Sequence, residues 1–389
     1  MNATEHVDTV VVGGGQAGLA LGYYLAQQQR DFVILDAHAR VGDAWRQRWD
    51  SLRLFTPAKF DGLPGVRFPE DRLSFPTKDQ QADYLEDYAA RFDLPVHTGV
   101  MVDAVWRDED GFLVTAGADR WLANNVVLAT GGSQRPRLPQ LAASIGPEVL
   151  QLHSSEYRNP AQLRPGAVVV VGVGNSGAEI ALEVSRSHPT WLAGTPSGQL
   201  PVRHGRAAAR FLLPLVRFVA LHVLTMATPV GRKAHLAMTT RAAPLIRTKM
   251  TDLAAAGVRS VPRVVTVANG MPMTDGDSAL SVDNVIWCTG YRTDFNWVHL
   301  PGFQDGARPA QARGIVDSVP GLYFLGQEFL FSAVSATVTG VRRDARYLAR
   351  HMNPPLRGEG AAAGAARNRI HLTPDPFHGD SVAEVPKPR

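Results

Sequence analysis

Thr9-Val10-Val11-Val12-Gly13-Gly14-Gly15-Gln16-Ala17-Gly18, continued by Leu19-Ala20-Leu21-Gly22-Tyr23-Tyr24-Leu25-Ala26, is the stretch on which the fold turns. A short unbroken apolar run reads as a buried strand, and the apolar residues past Gly18 have the length and spacing of a helix. Between them Gly13, Gly15 and Gly18 form a GxGxxG turn. In such a unit the first glycine permits the tight turn and the second lets backbone approach a pyrophosphate. The third allows close packing of helix on strand. Phe32-Val33-Ile34-Leu35 is the next strand, and Asp36 ends it, 23 residues after Gly13. A carboxylate there accepts hydrogen bonds from a ribose diol, so this site is read as holding the adenosine half of a dinucleotide.

The same design returns far along the chain. Val168-Val169-Val170-Val171 leads into Gly172-Val173-Gly174-Asn175-Ser176-Gly177 and then Ala178-Glu179-Ile180-Ala181-Leu182-Glu183-Val184, with Thr190-Trp191-Leu192 as the next strand. Counting 23 residues from Gly172 reaches Thr195 rather than a carboxylate. A carboxylate repels a 2′-phosphate, so its absence admits NADPH. The positive partner is then sought nearby, with Arg203, His204 and Arg206 as candidates; NADH is the alternative. A further echo joins the two units: Val126-Val127-Leu128-Ala129-Thr130-Gly131 and Val285-Ile286-Trp287-Cys288-Thr289-Gly290 are both strands running into a Thr-Gly turn. Ala129, Thr130, Thr289 and Gly290 therefore join the candidate cofactor residues.

The chain has 389 residues, 45% of them hydrophobic and 20% charged, which suits a globular protein of two or three domains. Its formal charge of +4 is unevenly spread. Val184 to Thr251 contains no Asp or Glu and ten cations, so it carries +10 while the remainder sums to −6. Such a segment calls for a local anion: a phosphate, an acidic lipid or an acidic substrate. The cations are not interleaved with a recognisable nucleic-acid module, so no nucleic acid partner is expected. A single cysteine, Cys288, excludes an internal disulfide, a CxxC redox pair and a cysteine zinc knuckle. A reductase working through a dithiol is excluded with them. With the first strand beginning near Val7, no signal peptide is expected and a cytoplasmic location is.

Alternating residues between Gly99 and Asn124 read as a small β-meander, and Gly321-Leu322-Tyr323-Phe324-Leu325-Gly326 as a late strand. Thr337 to His351 has helical spacing, while residues 352–389, rich in Pro, Gly and Ala, read as a disordered tail. Phe211 to Val230 is a long apolar stretch inside the basic run. Pro214, Arg217 and His222 argue against a transmembrane helix. Arg206, Arg210 and Arg217 fall on one helical face, which leaves two readings for 206–249: a lid on its own domain, or a membrane-surface contact.

Two dinucleotide sites, only the first bearing an acid, are the plan of two-dinucleotide flavoproteins, and at this point the sequence resembles a family. It is similar to the class B flavoprotein monooxygenases, especially bacterial and YUCCA-like flavin-containing monooxygenases, over about residues 7–350. The likeness rests on both glycine loops, on Gly42-Asp43-Ala44-Trp45-Arg46, Arg48-Trp49-Asp50-Ser51-Leu52-Arg53-Leu54 and Phe75-Pro76-Thr77-Lys78. His153-Ser154-Ser155-Glu156-Tyr157, Ala129-Thr130-Gly131 and Cys288-Thr289-Gly290-Tyr291 complete it. The His153 run matches the second half of the fingerprint FxGxxxHxxx[FWY]; Pro147 and Val149 stand where its Phe and Gly would be. His153 is read either as a linker anchor or as a general acid or base, with the anchor favoured. Where many relatives carry an Asn after the Trp-Arg motif, this chain has Leu54-Phe55-Thr56-Pro57.

The resemblance implies an α/β fold with two Rossmann-like domains, a β-meander and a helical insertion at about 205–250. Residues 1–150 and 291–351 would form a discontinuous FAD-binding domain and 151–290 the NADPH-binding domain. It further implies that Gly13, Gly15, Gly18, Asp36, Trp45 and Arg46 hold FAD. Gly172, Gly174, Asn175, Ser176 and Gly177 would hold the nicotinamide nucleotide, with Thr195 and Arg203 beside it. Gly326 and Gln327 would lie near the flavin ring. The implied chemistry is hydride transfer from NADPH to FAD, formation of a flavin C4a-(hydro)peroxide with O2, and transfer of one oxygen to a small lipophilic substrate. A flavin reductase passing electrons to a quinone or carrier protein is the alternative, and a non-catalytic redox sensor a third reading.

Overall fold

The computed structural model describes residues 4–352 except 202, 241–242, 277 and 305–307; the expected tail from 353 onward lies outside the described residues. The chain opens with β1 (Glu5–Val12), α1 (Gln16–Gln27) and β2 (Phe32–Asp36), the βαβ unit expected from the first glycine turn. A short α2 (Asp43–Arg46) and α3 (Lys78–Arg91) follow, the latter opened by a capping box in which Thr77 and Gln80 satisfy each other's backbone N–H groups. Then come β3 (Val96–Thr98), β4 (Ala104–Asp108), β5 (Gly111–Ala116) and β6 (Asp119–Leu128).

These strands build one sheet in the order β3-β2-β1-β6-β5-β4. Its β1, β2, β3 and β6 pairings are parallel, and β4-β5-β6 is the antiparallel meander. β1 is buried from Val7 to Val12, as expected of a strand covered on both faces.

The second sheet starts after β7 (Arg135–Pro136) with β8 (Leu150–His153), β9 (Val168–Val171), α4 (Asn175–Val184) and β10 (Thr190–Ala193). The insertion follows as a helical segment from Ala208 to Val223 centred on α5 (Leu213–Phe218), then α6 (Pro229–Thr240) and α7 (Met250–Ala255). Pro214 does not break that segment: it sits at the start of α5, directly after a π-turn over Ala208–Leu212. The chain returns through β11 (Arg259–Val261), the hairpin β12 (Val264–Ala268) and β13 (Met271–Thr274), and β14 (Asn284–Trp287). The sheet runs β11-β10-β9-β14-β8, parallel throughout. β15 (Tyr291–Arg292) pairs with β7 at the crossover between the two units, and β16 (Leu322–Phe324) rejoins the first sheet beside β6.

The last element, α8 (Val338–His351), lies against α1 and buries Val341, Ala345 and Leu348 completely. Two separate cores sandwich the first sheet and two more sandwich the second, so each unit carries its own hydrophobic support.

Candidate functional site: two glycine loops and the roof between them

At the first loop Gly13 adopts φ +113°, and a Cβ there would stand 2.6 Å from the Ala129 carbonyl. A Cβ at Gly18 would lie 2.0 Å from the Gly13 carbonyl, so helix and loop meet only because neither residue has a side chain. Gly15 differs: no protein atom lies within 4 Å of the position its Cβ would take. Packing does not demand glycine there, whereas a ligand approaching the N-terminus of α1 does. The loop therefore fits a pyrophosphate.

Asp36 closes the cradle. Its Oδ2 accepts from the Gly14 N–H at 2.6 Å, and its Oδ1 accepts from the His38 N–H at 2.8 Å with His38 Nδ1 also at 2.8 Å. Burial alone raises the carboxyl pKa, but the His38 and Gly14 hydrogen bonds outweigh it and hold Asp36 below the ordinary carboxylate value. The same contact lifts the His38 imidazole above its usual pKa. One lone-pair position on Oδ2 remains for a ribose hydroxyl.

Late residues converge on this loop. A Cβ at Gly326 would meet the Ala17 side chain at 2.7 Å, and the buried Gln327 Nε2 reaches the Gly131 carbonyl at 3.4 Å. Thr130 Oγ1 accepts from Gln134 Nε2 at 2.6 Å. Trp45 Nε1 donates to Gln16 Oε1 (3.1 Å), whose amide nitrogen reaches the Ala336 carbonyl at the entrance to α8 (3.4 Å). Gly13, Gly15, Gly18, Asp36, Trp45, Ala129, Thr130, Gly326 and Gln327 are thus brought into one neighbourhood.

Arg46 is engaged within the protein. Its guanidinium is held by Asp43, Asp83 and Glu86 and by the Val41 carbonyl, with a side chain only 18% exposed. Three carboxylates neutralise it, so it shapes the 41–46 turn instead of presenting charge to a ligand. Lys78, which the sequence reading quoted only in a motif, is buried and donates to the Arg46 carbonyl (3.1 Å), capping α2.

The second loop repeats the geometry: Gly172 has φ +113°, and a Cβ at Gly177 would sit 1.9 Å from the Gly172 carbonyl. Gly174 is the N-cap of α4, and Asn175 and Ser176 open the helix. The Asn175 side chain faces the insertion, donating to the Pro244 carbonyl (3.0 Å) and accepting from the Ile246 N–H (2.8 Å). A cavity of about 680 Å³ lies against this loop, lined by Gly172, Val173, Thr195, Ser197 and Thr289 and by two cations, Arg137 and Arg263.

Arg203 is not among the lining residues, and its two companions are engaged elsewhere. His204 Nε2 donates to the Phe55 carbonyl (2.8 Å), and Arg206 pairs with Asp71 (3.0 Å). Arg263, with Arg137, lines the cavity instead. β11 runs parallel beside β10, and the Gly194 N–H donates to the Val261 carbonyl, so the residues just past both strands emerge side by side.

His153 sits between the units. Its Nε2 lies 3.1 Å from the Gly290 carbonyl, and its Nδ1 accepts from the Ser155 N–H at 3.1 Å. Burial depresses its pKa, so the ring is neutral near pH 7, and both nitrogens are committed to the protein. Thr289 Oγ1 donates to the Arg137 carbonyl, and Arg137 N–H donates to the Gly290 carbonyl (2.9 Å), which fixes the Thr289–Gly290 turn from the same side.

The insertion roofs both units. Thr225 bridges to Ser332, Met226 N–H donates to the Phe331 carbonyl (2.8 Å), and Ala333 N–H donates to the Leu224 carbonyl (3.0 Å). Arg217 corrects the expected basic face: its guanidinium turns inward, over the Phe60 ring at 5.0 Å and onto Thr339 Oγ1 at 2.9 Å. Beneath it Thr56 Oγ1 donates to the fully buried Asp61, whose carboxyl is pushed well above the ordinary range by burial. Sequence reading missed Asp61, because an acid inside a loop carries no signal of burial. Cys288 is half-buried, and loss of solvation pushes its thiol up to about 12. Among the described residues no group of metal-ligating side chains occurs, and no helix is long and apolar enough to cross a membrane.

Comparison with known proteins places this geometry. Residues 10–190 match the model of the pyridine nucleotide-disulphide oxidoreductase family. The chain is 37% identical over 345 residues to an uncharacterized CzcO-like oxidoreductase of Geobacillus kaustophilus, covering 88% of this chain and 97% of the relative. It is 29% identical over 336 residues to the indole-3-pyruvate monooxygenase YUCCA8 of Oryza sativa, covering 75% and 78% of the two chains. Among solved structures, a flavin-containing monooxygenase from Stenotrophomonas maltophilia matches with TM-score 0.73 and 30% identity over 90% of this chain and 98% of that one. With two glycine loops on two parallel sheets and relatives matched over nearly their whole length, the chain belongs to the class B flavoprotein monooxygenases and is a flavin-dependent oxidoreductase using a nicotinamide cofactor.

Proposed function

We propose that this protein is an FAD- and NADPH-dependent monooxygenase that places one oxygen atom of O2 on a small lipophilic substrate and releases the other as water. In this reading residues 1–150 and 291–351 carry FAD and 151–290 carry the nicotinamide nucleotide. The observation that carries the NADPH assignment is the cavity beside Gly172: Thr195 and Ser197 stand where a ribose-binding acid would exclude a phosphate, and Arg137 and Arg263 share the cavity with no carboxylate among its lining residues.

When bound, the flavin supplies hydride acceptance and reaction with dioxygen; the protein supplies binding, orientation and exclusion of water. The N–H groups at the start of α1 hold its pyrophosphate, and Asp36 accepts from its ribose. Arg263 and Arg137 neutralise the 2′-phosphate of the nucleotide. His153 and Arg137, both bonded to the Gly290 carbonyl, fix the crossover between the units and would so hold the two cofactor sites in register. The insertion covers the segment holding Phe60 and the loop after Gln327, keeping water from the reacting face. A single cysteine, half-buried and with a raised pKa, leaves no thiol pair for redox work, which supports O2 rather than a disulfide as electron acceptor.

The test is a binding and coupling experiment on the holoenzyme. Arg263→Ala should weaken 2′,5′-ADP binding about 10- to 100-fold, the range expected for one charge-assisted contact, and leave 5′-ADP within a factor of three. Equal loss for both nucleotides overturns the phosphate assignment. NADPH oxidation that consumes no O2, and rises only when a quinone is added, overturns the monooxygenase reading.

A further inference from the structure

The insertion has two apolar faces, and only one is used. Ala209, Leu213 and Ala220, spaced by four and seven residues, are buried, together with Leu221. Phe211 and Leu215 stand two residues past Ala209 and Leu213, and Phe218 two residues before Ala220, which places all three on the opposite side of the helical segment. They are 74%, 59% and 56% exposed. Seven of the twelve large hydrophobic residues exposed among those described fall between Phe211 and Met238; Val223 and Val230 continue the series.

A monomer surface seldom gathers bulky apolar side chains this densely without a partner. The segment's own charge is of one sign. The exposed Arg210 guanidinium lies 5.5 Å from the Phe211 ring, and Arg232 and Lys233 are exposed on α6. No Asp or Glu occurs between Val184 and Thr251.

We propose that this outer face of the insertion docks on an anionic lipid surface, with Phe211, Leu215 and Phe218 entering the headgroup boundary and Arg210, Arg232 and Lys233 meeting lipid phosphates. An amphipathic segment rich in Arg with Phe and Leu on its apolar side is what such an interface selects. Two other occupants fit less well. A second copy meeting face to face would bring identical cations together with no acid in the segment to pair them. The chain's own residues 353–389 hold five Lys or Arg against four Asp or Glu, so they offer no net negative charge. The inner face is pinned through Arg217 to Thr339 and through Arg343 Nη1 to the Leu221 carbonyl, so docking requires no unfolding of the roof.

The experiment is flotation of the full-length holoenzyme with vesicles of phosphatidylglycerol or phosphatidylcholine at 0.1 M salt, a concentration at which screening acts over ~10 Å. The wild type should partition onto phosphatidylglycerol at least tenfold more than onto phosphatidylcholine. F211S/L215S/F218S should lose at least tenfold of that partition while keeping its flavin content. R210Q/K233Q, which leaves the apolar ridge intact, should weaken binding to phosphatidylglycerol and not to phosphatidylcholine. Equal partition onto both lipids, or a triple-serine variant that binds as the wild type does, overturns the proposal. So does a wild-type dimer that the serine changes dissolve without any vesicle binding, which would assign the face to a second copy.

Discussion

Asp36→Asn separates the structural task of this carboxylate from its ligand task. In the wild type the carboxylate accepts from the Gly14 N–H (2.6 Å) and the His38 N–H (2.8 Å), with His38 Nδ1 at 2.8 Å, in a residue only 8% exposed. Asparagine keeps one oxygen and turns the other into an NH2 group, so one backbone N–H now faces a donor. An orphaned buried donor costs about 1–3 kcal/mol, and the surviving bonds lose their charge assistance, about 1 kcal/mol more. A loss of about 2–4 kcal/mol in the stability of the flavin-depleted protein follows.

The pH dependence fixes the source. Asp36 has a folded pKa below its ordinary 3.8, so its contribution is present above about pH 4 and disappears as pH falls through the folded value. His38 has a folded pKa above 6.5, so its contribution is complete below pH 6.5 and disappears as pH rises through the folded value. The gap between wild type and variant should therefore be widest near pH 5–6. Urea unfolding across pH measures it, and the His38 ring titration should fall toward its ordinary value in the variant. FAD affinity should drop about 10- to 100-fold for one lost charge-assisted ribose contact. Equal urea midpoints at pH 5.5, or an FAD Kd within threefold of wild type, refute the reasoning.

Three further outcomes follow from the same physics. Gly177→Ala places a methyl 1.9 Å from the Gly172 carbonyl, a backbone atom that cannot swing aside; NADP+ titration should show weakened binding with flavin content preserved. Gly18→Ala, 2.0 Å from the Gly13 carbonyl, should do the reverse, and loss of flavin from the Gly177 variant alone would contradict the division of the two sites. Glu179, only 15% exposed beside Arg247, has its carboxyl pushed up to about 7 by burial. A folded pKa above the ordinary 4.5 means stability is lost as pH rises from about 4.5 to 7, so Glu179→Gln should gain about 3 kcal/mol on wild type at pH 8 and nothing at pH 4. Urea midpoints at the two pH values decide, and an unchanged pH slope counts against it.

Local rules reach far into this molecule. The strand–glycine–helix units were legible because φ +113° at Gly13 and Gly172, and the contacts of Gly18 and Gly177, leave no other residue type available. Asp36 was legible as the residue beside the turn because the end of the neighbouring strand lies at a fixed distance along the chain, and its carboxylate meets the Gly14 N–H there. The meander was visible in its alternation, since β5 buries every second residue. α8 was visible in the spacing of Val341, Ala345 and Leu348.

Cations were a different matter, because an arginine's role is set by what lies across space from it. Arg46 stands in the expected motif, yet α3 brings Asp83 and Glu86 onto it from the far end of a long loop. Arg203 and Arg206 are near Thr195 in sequence, but the insertion carries Arg206 away to Asp71. Arg263 is distant in sequence and lies outside the acid-free run, and only the β10–β11 pairing reveals that both strands end at the same cavity. The acid-free run therefore carries a different meaning from the one its position suggested. Arg217 anchors the roof, Arg247 donates to the Arg53 carbonyl and meets Glu179, and Arg210, Arg232 and Lys233 are left outside with Phe211, Leu215 and Phe218. A single compositional signal thus resolves into two structural populations, one fastening the insertion to both units and one facing outward, and sheet order decides which cations line the cavity beside the second glycine loop.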